Sequence, residues 1–364
     1  MKLLRVLPPI VLIICSVLLA RGDLRAQDEQ ISAQSPTVRL EVRAADQAAA
    51  SNHSDYRVHV RHVKTENMNR FSPLATSAAT PEATPTVSDL QSDISEATPD
   101  IASSVPSVPP PGFYPADLSH FFRGPVVKSA ESHPLYVDCA DTCWGRPAKF
   151  LSNLGKSTFI HVADQYVGST ADNRYTVGTA GVISYPIFTT LSDNDVLQIV
   201  HTAASVLGTG YDHIYHVFLP KGVDLCFVGT TACYSPDNPS TFAFCAYHGS
   251  VTFSDIGHVL FSAEPYQNVL GCSIEQPSPN GALVDSTSSV LGHELFETIT
   301  DPDPPTGWIA VNSNGVFGEE IGDLCPGIDV TAPFFKDPIS VINGQKYEVQ
   351  PMYANKYHAC SFVP

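Results

Sequence analysis

Val290-Leu291-Gly292-His293-Glu294-Leu295-Phe296-Glu297-Thr298-Ile299-Thr300-Asp301-Pro302-Asp303 carries an H-E-x-x-E pattern. Val290, Leu291, Leu295 and Ile299 fall at mixed three- and four-residue spacing, which predicts a helix. Asp285 or Ser286 can cap its start. Pro302 cannot continue it and restricts Asp301, so the helix should end near Thr300. On such a helix His293 and Glu297 stand one turn apart on one face, and Glu294 leans into the same space.

The H-E-x-x-H metalloprotease helix presents two imidazoles in this way, with the intervening Glu as general base. Here the second position holds a carboxylate, which zinc also accepts. Taken alone, the pattern fits equally a solvated helix whose His and Glu make ordinary hydrogen bonds. The acidity downstream favours a site: Asp301, Asp303, then Gly318-Glu319-Glu320-Ile321-Gly322-Asp323-Leu324-Cys325. Carboxylates gathered near an imidazole repel one another unless a cation or hydrogen bonds compensate.

A metal needs a further protein ligand, and two geometries compete. A short loop would use Asp303, ten residues after His293, but Thr300 stands where the chain wants a Gly to turn, and prolines flank Asp303. A long loop would use Glu320, with Asp323 orienting His293 from behind. The reading adopted is His293, Glu297 and Glu320 as ligands and Glu294 as catalytic base. Asp303 and Asp301 remain the alternative third ligands. The other histidines, among them His161, His201, His213, His216 and His258, are structural by default. His248, on a predicted strand end near Cys245, is the one most expected to approach the site.

Outward from this stretch, residues 192–208 predict a second helix, with a capping-box pair at Ser192 and Asp195 and Gly208 as terminator. Short apolar runs at 159–162, 214–219, 242–246, 259–262 and 346–352 read as strands. The order gives a mixed α/β (α+β) domain with one core, zincin-like at the site. Gly155-Lys156-Ser157 resembles the end of a P-loop, but Phe150 stands where its first Gly belongs. No G-x-S-x-G elbow occurs.

Lys2 and Arg5 precede an apolar run at 10–20 that is too short to span a bilayer comfortably, so residues 1–26 read as a secretory signal, an uncleaved anchor being the alternative. Residues 27–115 are rich in Pro, Ser, Thr and Ala and read as a disordered linker or propeptide, with room for one strand between Val38 and Lys64. The globular domain is placed at 116–364. Nine cysteines occur, Cys15 within the signal. The remaining eight suggest up to four disulfides of a secreted chain, and no C-x-x-C pair supports a zinc-thiolate site. The net charge of −17 argues against nucleic acid and anionic membrane surfaces as partners.

His293-Glu294-Leu295-Phe296-Glu297-Thr298-Ile299-Thr300-Asp301-Pro302, followed by Gly318-Glu319-Glu320-Ile321-Gly322-Asp323-Leu324-Cys325, resembles the Exordium (phosphate-induced protein 1) family and its microbial relatives. The likeness extends over about Tyr136 to Cys360 and includes the blocks at 217–223, 244–249 and 346–351. It implies a secreted or wall-associated protein with this one domain, and no settled reaction. Plant members often lack the intact H-E pair, which implies that the fold can serve without catalysis. The resulting expectation is a secreted metal-dependent hydrolase, peptidase-like, using one divalent ion: Zn first, Mn or Fe as alternatives. Its partner would be a peptide or a cell-surface or wall component, with no stable membrane insertion after signal cleavage. The rival is a non-catalytic extracellular protein whose acidic cluster is structural or binds a cation.

Overall fold

An eight-stranded sheet organises the chain. Its strands are β1 (Thr37–Glu41), β2 (His53–His62), β3 (Ala130–Val137), β4 (Tyr175–Val177), β5 (Ala180–Ser184), β6 (Gly210–Phe218), β7 (Phe244–Phe253) and β8 (Gly257–Glu264). The spatial order is β1-β5-β3-β6-β8-β7-β2, with β4 also pairing β3. From β1 to β8 every pairing is parallel, whereas β7 runs antiparallel to both β8 and β2. The computed structural model describes residues 36–63, 116–186, 189–311, 318–325 and 334–364, all within a unit that begins at Ser35.

A mostly parallel sheet needs cover on both faces, and strand alternation shows that it has it. On β6, Ile214 and Phe218 enter one core cluster while Tyr215 and Val217 enter the other. Helices α1 (Ala44–Ala50) and α3 (Asp193–Leu207) pack together, and α3 supplies Val196, Ile199 and Val200 to the second cluster. Helices α2 (Pro147–Leu154) and α4 (Ala282–Thr300) cover the first, through Phe150, Leu154, Leu291, Leu295 and Phe296. Ser192 and Asp195 form the expected capping box on α3.

Helix α4 lies over β7 and β8 and is buried from Asp285 to Thr300. It starts at Ala282, earlier than the predicted caps, because Asp285 already works inside the first turn. Its carboxylate accepts from the Asn280 backbone N–H (2.8 Å) and from Asn280 Nδ2 (2.7 Å). The helix ends at Thr300 as expected, where the Asp301 N–H still reaches Glu297 O.

Three sequence expectations change. Residues 37–62, placed in the linker, supply two strands and a helix, and β1 and β2 form the two ends of the main sheet. These strands are short of apolar residues, and the neighbouring strands' hydrogen bonds, which no local pattern reveals, hold them. The domain therefore includes them, while residues 1–35 and 64–115, where the signal and the rest of the linker fall, lie outside the described residues. Phe159–Ala163 is a 3-10 turn and not a strand; Phe159 packs on Phe296 of α4, with ring centroids 4.9 Å apart. A short apolar run fits either state. The expected strand at 346–352 is split between two hairpins, Ile339–Ile342 with Gln345–Glu348 and Met352–Ala354 with Ala359–Ser361.

All eight described cysteines are paired: Cys139–Cys143, Cys226–Cys233, Cys245–Cys272 and Cys325–Cys360. No helix among the described residues is long and apolar enough to cross a membrane.

Candidate metal centre

Alternation on β7 sends Tyr247 and Val251 into the core beneath α3 and turns His248 the other way, beneath α4. β2 brings His59 into register with His248. Residues paired in register share a face, so both imidazoles reach the side from which α4 presents His293, Glu294 and Glu297. The loop carrying Glu320, Gly322 and Asp323 closes the arrangement and is tied to the last hairpin by Cys325–Cys360.

The distances are short. His293 Nε2 lies 2.9 Å from Glu297 Oε1 and 3.6 Å from Asp323 Oδ1. His248 Nδ1 lies 3.4 Å from Glu297 Oε2 and 3.5 Å from Glu294 Oε2, and its Nε2 lies 3.6 Å from Glu320 Oε2. His59 bonds Asp323 through Nε2 at 2.6 Å and sets Nδ1 3.4 Å from Glu320 Oε1. Glu320, 23 residues beyond Glu297 in the chain, thus converges with it.

Two contacts fix the ring orientations. His293 Nδ1 donates to Gln350 Oε1 (3.3 Å), and Gln350 Nε2 in turn donates to Gly322 O. His248 Nε2 donates to the Asp301 carbonyl (3.2 Å). In each ring the other nitrogen faces the carboxylates, the side from which a metal-binding histidine coordinates. Gly322 permits the approach, since a Cβ there would overlap the His293 ring.

Burial makes this cluster costly as it stands. Glu294, Glu297, Glu320 and His248 have no exposure, and only His59 and Asp323 reach solvent, at 19% and 14% of their side chains. Both oxygens of Glu294, Glu297 and Glu320, with His293 Nε2 and His248 Nδ1, are buried without an aligned hydrogen bond. Each such orphan costs about 1–3 kcal/mol or more when charged. Burial raises the Glu294 carboxyl, with Glu297 adding to the rise, and raises Glu320 well above the usual range, with Asp301 and Glu297 adding to it. Glu297 goes the other way: burial would raise it, but His293 and His248 hold it well below. Burial would likewise lower His248, but Glu294 and Glu297 hold it up at about 10. Imidazole and carboxylate donors around one volume suit zinc, and also manganese or iron.

No family model, curated protein or solved structure matches the chain. The site therefore stands on its own geometry.

Glu297 and Glu320 come together with His248 as the imidazole of the group, Glu294 lies beside His248, and His293 reaches Glu297 and Asp323. Asp323 does not orient His293 from behind: it approaches Nε2, the nitrogen that faces Glu297, while Gln350 holds Nδ1, and it also bonds His59. Asp301 instead shapes the turn after α4, its Oδ1 accepting from the N–H groups of Gly307 (2.7 Å) and Thr306 (3.2 Å). Asp303 is turned to Tyr211 (2.6 Å) and His258 (3.1 Å). His59 and Gln350 were missed. A signal for His59 did exist: in Arg57-Val58-His59-Val60-Arg61 the valines alternate with polar residues, so His59 and Arg61 must share the face opposite them.

Proposed function

We propose that this cluster is a metal centre and that the protein is a secreted metal-dependent hydrolase, peptidase-like in its chemistry. One observation carries the reading: carboxylates from two distant segments and imidazoles from a helix and two strands converge, and both oxygens of Glu294, Glu297 and Glu320, with His293 Nε2 and His248 Nδ1, are buried without an aligned hydrogen bond. Glu297, His293 and Glu320 are the ligands, with His248 beside them. A bound divalent ion, zinc before manganese or iron, supplies polarisation of a carbonyl and an acidified water. Glu294 faces the same volume, and its raised pKa suits a base that takes a proton and returns it to the leaving amine. Four disulfides support an extracellular setting, and the likeness to Exordium proteins adds a wall-associated setting. A peptide or a cell-surface or wall component is the substrate class. The acidic balance disfavours nucleic acid.

A second reading has its own support. The depth of Glu294, Glu297 and Glu320 suits a structural ion in a non-catalytic extracellular protein. Cleavage of a mixed peptide library by the zinc-loaded protein separates the two. The hydrolase reading expects turnover by the wild type and loss of at least about a hundredfold in Glu294→Gln with the metal retained. No turnover with bound zinc supports the structural ion.

A further inference from the structure

We infer that the centre is built for two divalent ions, bridged by Glu297; this rests on the metal-centre reading above. The two oxygens of Glu297 face different nitrogens. Oε1 is 2.9 Å from His293 Nε2, and Oε2 is 3.4 Å from His248 Nδ1. Two donor sets meet at this carboxylate. His59, Glu297 and Asp323 form one, and His248, Glu297 and Glu320 the other, the donor atoms in each lying within 4.8 Å of one another. Asp323 also approaches His293 Nε2, which adds that ring to the first set.

Donor number points the same way. Three imidazoles and three carboxylates exceed the four places of a tetrahedral zinc, whereas a carboxylate-bridged pair with ions about 3.5–4 Å apart uses them all. The ring orientations agree: His293 turns Nδ1 to Gln350 and His248 turns Nε2 to the Asp301 carbonyl, so the other nitrogen of each ring faces an oxygen of Glu297. In this arrangement Glu294 stays outside both sets and keeps its role as base.

The test is the metal stoichiometry and magnetic coupling of the full chain. Metal-stripped protein is loaded with Mn²⁺, dialysed, and examined by elemental analysis and electron paramagnetic resonance. The expected result is two Mn²⁺ per chain with an exchange-coupled spectrum. Asp323→Asn and His59→Ala, at the exposed rim, should each lower the content to one and leave an uncoupled six-line spectrum. Saturation of the wild type at one uncoupled ion overturns the two-ion centre and leaves the metal centre standing; no retained ion overturns both. A second ion that survives Asp323→Asn and disappears in His213→Ala belongs to the Glu131, His133 and His213 group at the start of β3 and β6, and overturns the two-ion centre as well.

Discussion

His59 and His248 stand side by side across the β2–β7 pairing, with ring centroids 5.8 Å apart, although 189 residues separate them in the chain. The site thus depends on a strand from the stretch that composition assigns to a linker. A chain starting at residue 116 should lose both ends of the main sheet and expose β5 and β7 as unprotected edges. It should be insoluble or lack a cooperative thermal transition, whereas a chain starting at residue 36 should unfold cooperatively. Equal stability of the two would contradict the sheet order.

Gly322 is held to a glycine by its closeness to His293. Gly322→Ala should push the imidazole off its Gln350 contact and weaken metal binding by about 10–100-fold, as read by competition with a chromophoric chelator. Gly344→Ala, where nothing lies near the added methyl, should leave metal affinity unchanged. Its positive φ still costs some stability, so affinity and not melting temperature is the readout.

The central helix was legible because a 3.6-residue period and a terminating proline are local signals. The capping box of α3 was legible for the same reason. Glu320 could be reached because one acidic cluster follows the helix closely in sequence. The face of His59 was legible from local alternation, but its pairing with His248 was not, since strand register is non-local, and Gln350 sits in the link between two hairpins that no local pattern places. The apolar run at Phe159 misled because it is buried on a turn against Phe296, and burial alone does not fix a period.

The Cys325–Cys360 bridge anchors the Glu320 loop. No free thiol should be titrated per denatured, unreduced domain. Replacing both cysteines by serine should cost about 2–5 kcal/mol of stability in denaturant titration. It should also weaken metal binding, because Glu320 and Asp323 lose their tether. The Cys226–Cys233 bridge lies in a separate small sheet, and its removal should lower stability without changing metal affinity. Equal effects on affinity would show that the Glu320 loop holds itself.

His216 should shape the acid side of the stability curve. It is fully buried between Ser262 Oγ (2.8 Å) and Ser132 Oγ (3.2 Å). Burial, with His133 nearby, depresses it to about 3. The unfolded chain binds this proton near pH 6.5 and the folded chain does not. Its contribution is therefore present above pH 6.5 and is lost as pH falls towards 3. His216→Asn should flatten the decline of stability over that window by an amount on the order of a few kcal/mol. Parallel curves for the two proteins would contradict this assignment.

Anomalous diffraction at the zinc edge from zinc-loaded crystals tests the metal centre most directly. The expected map has a peak in contact with Glu297, with nitrogen from His293 or His248 and oxygen from Glu320 or Asp323 at about 2.0–2.2 Å, and no zinc contact to Asp303. A clean map with no anomalous density at Glu297, from protein that diffracts well in excess zinc, would contradict it.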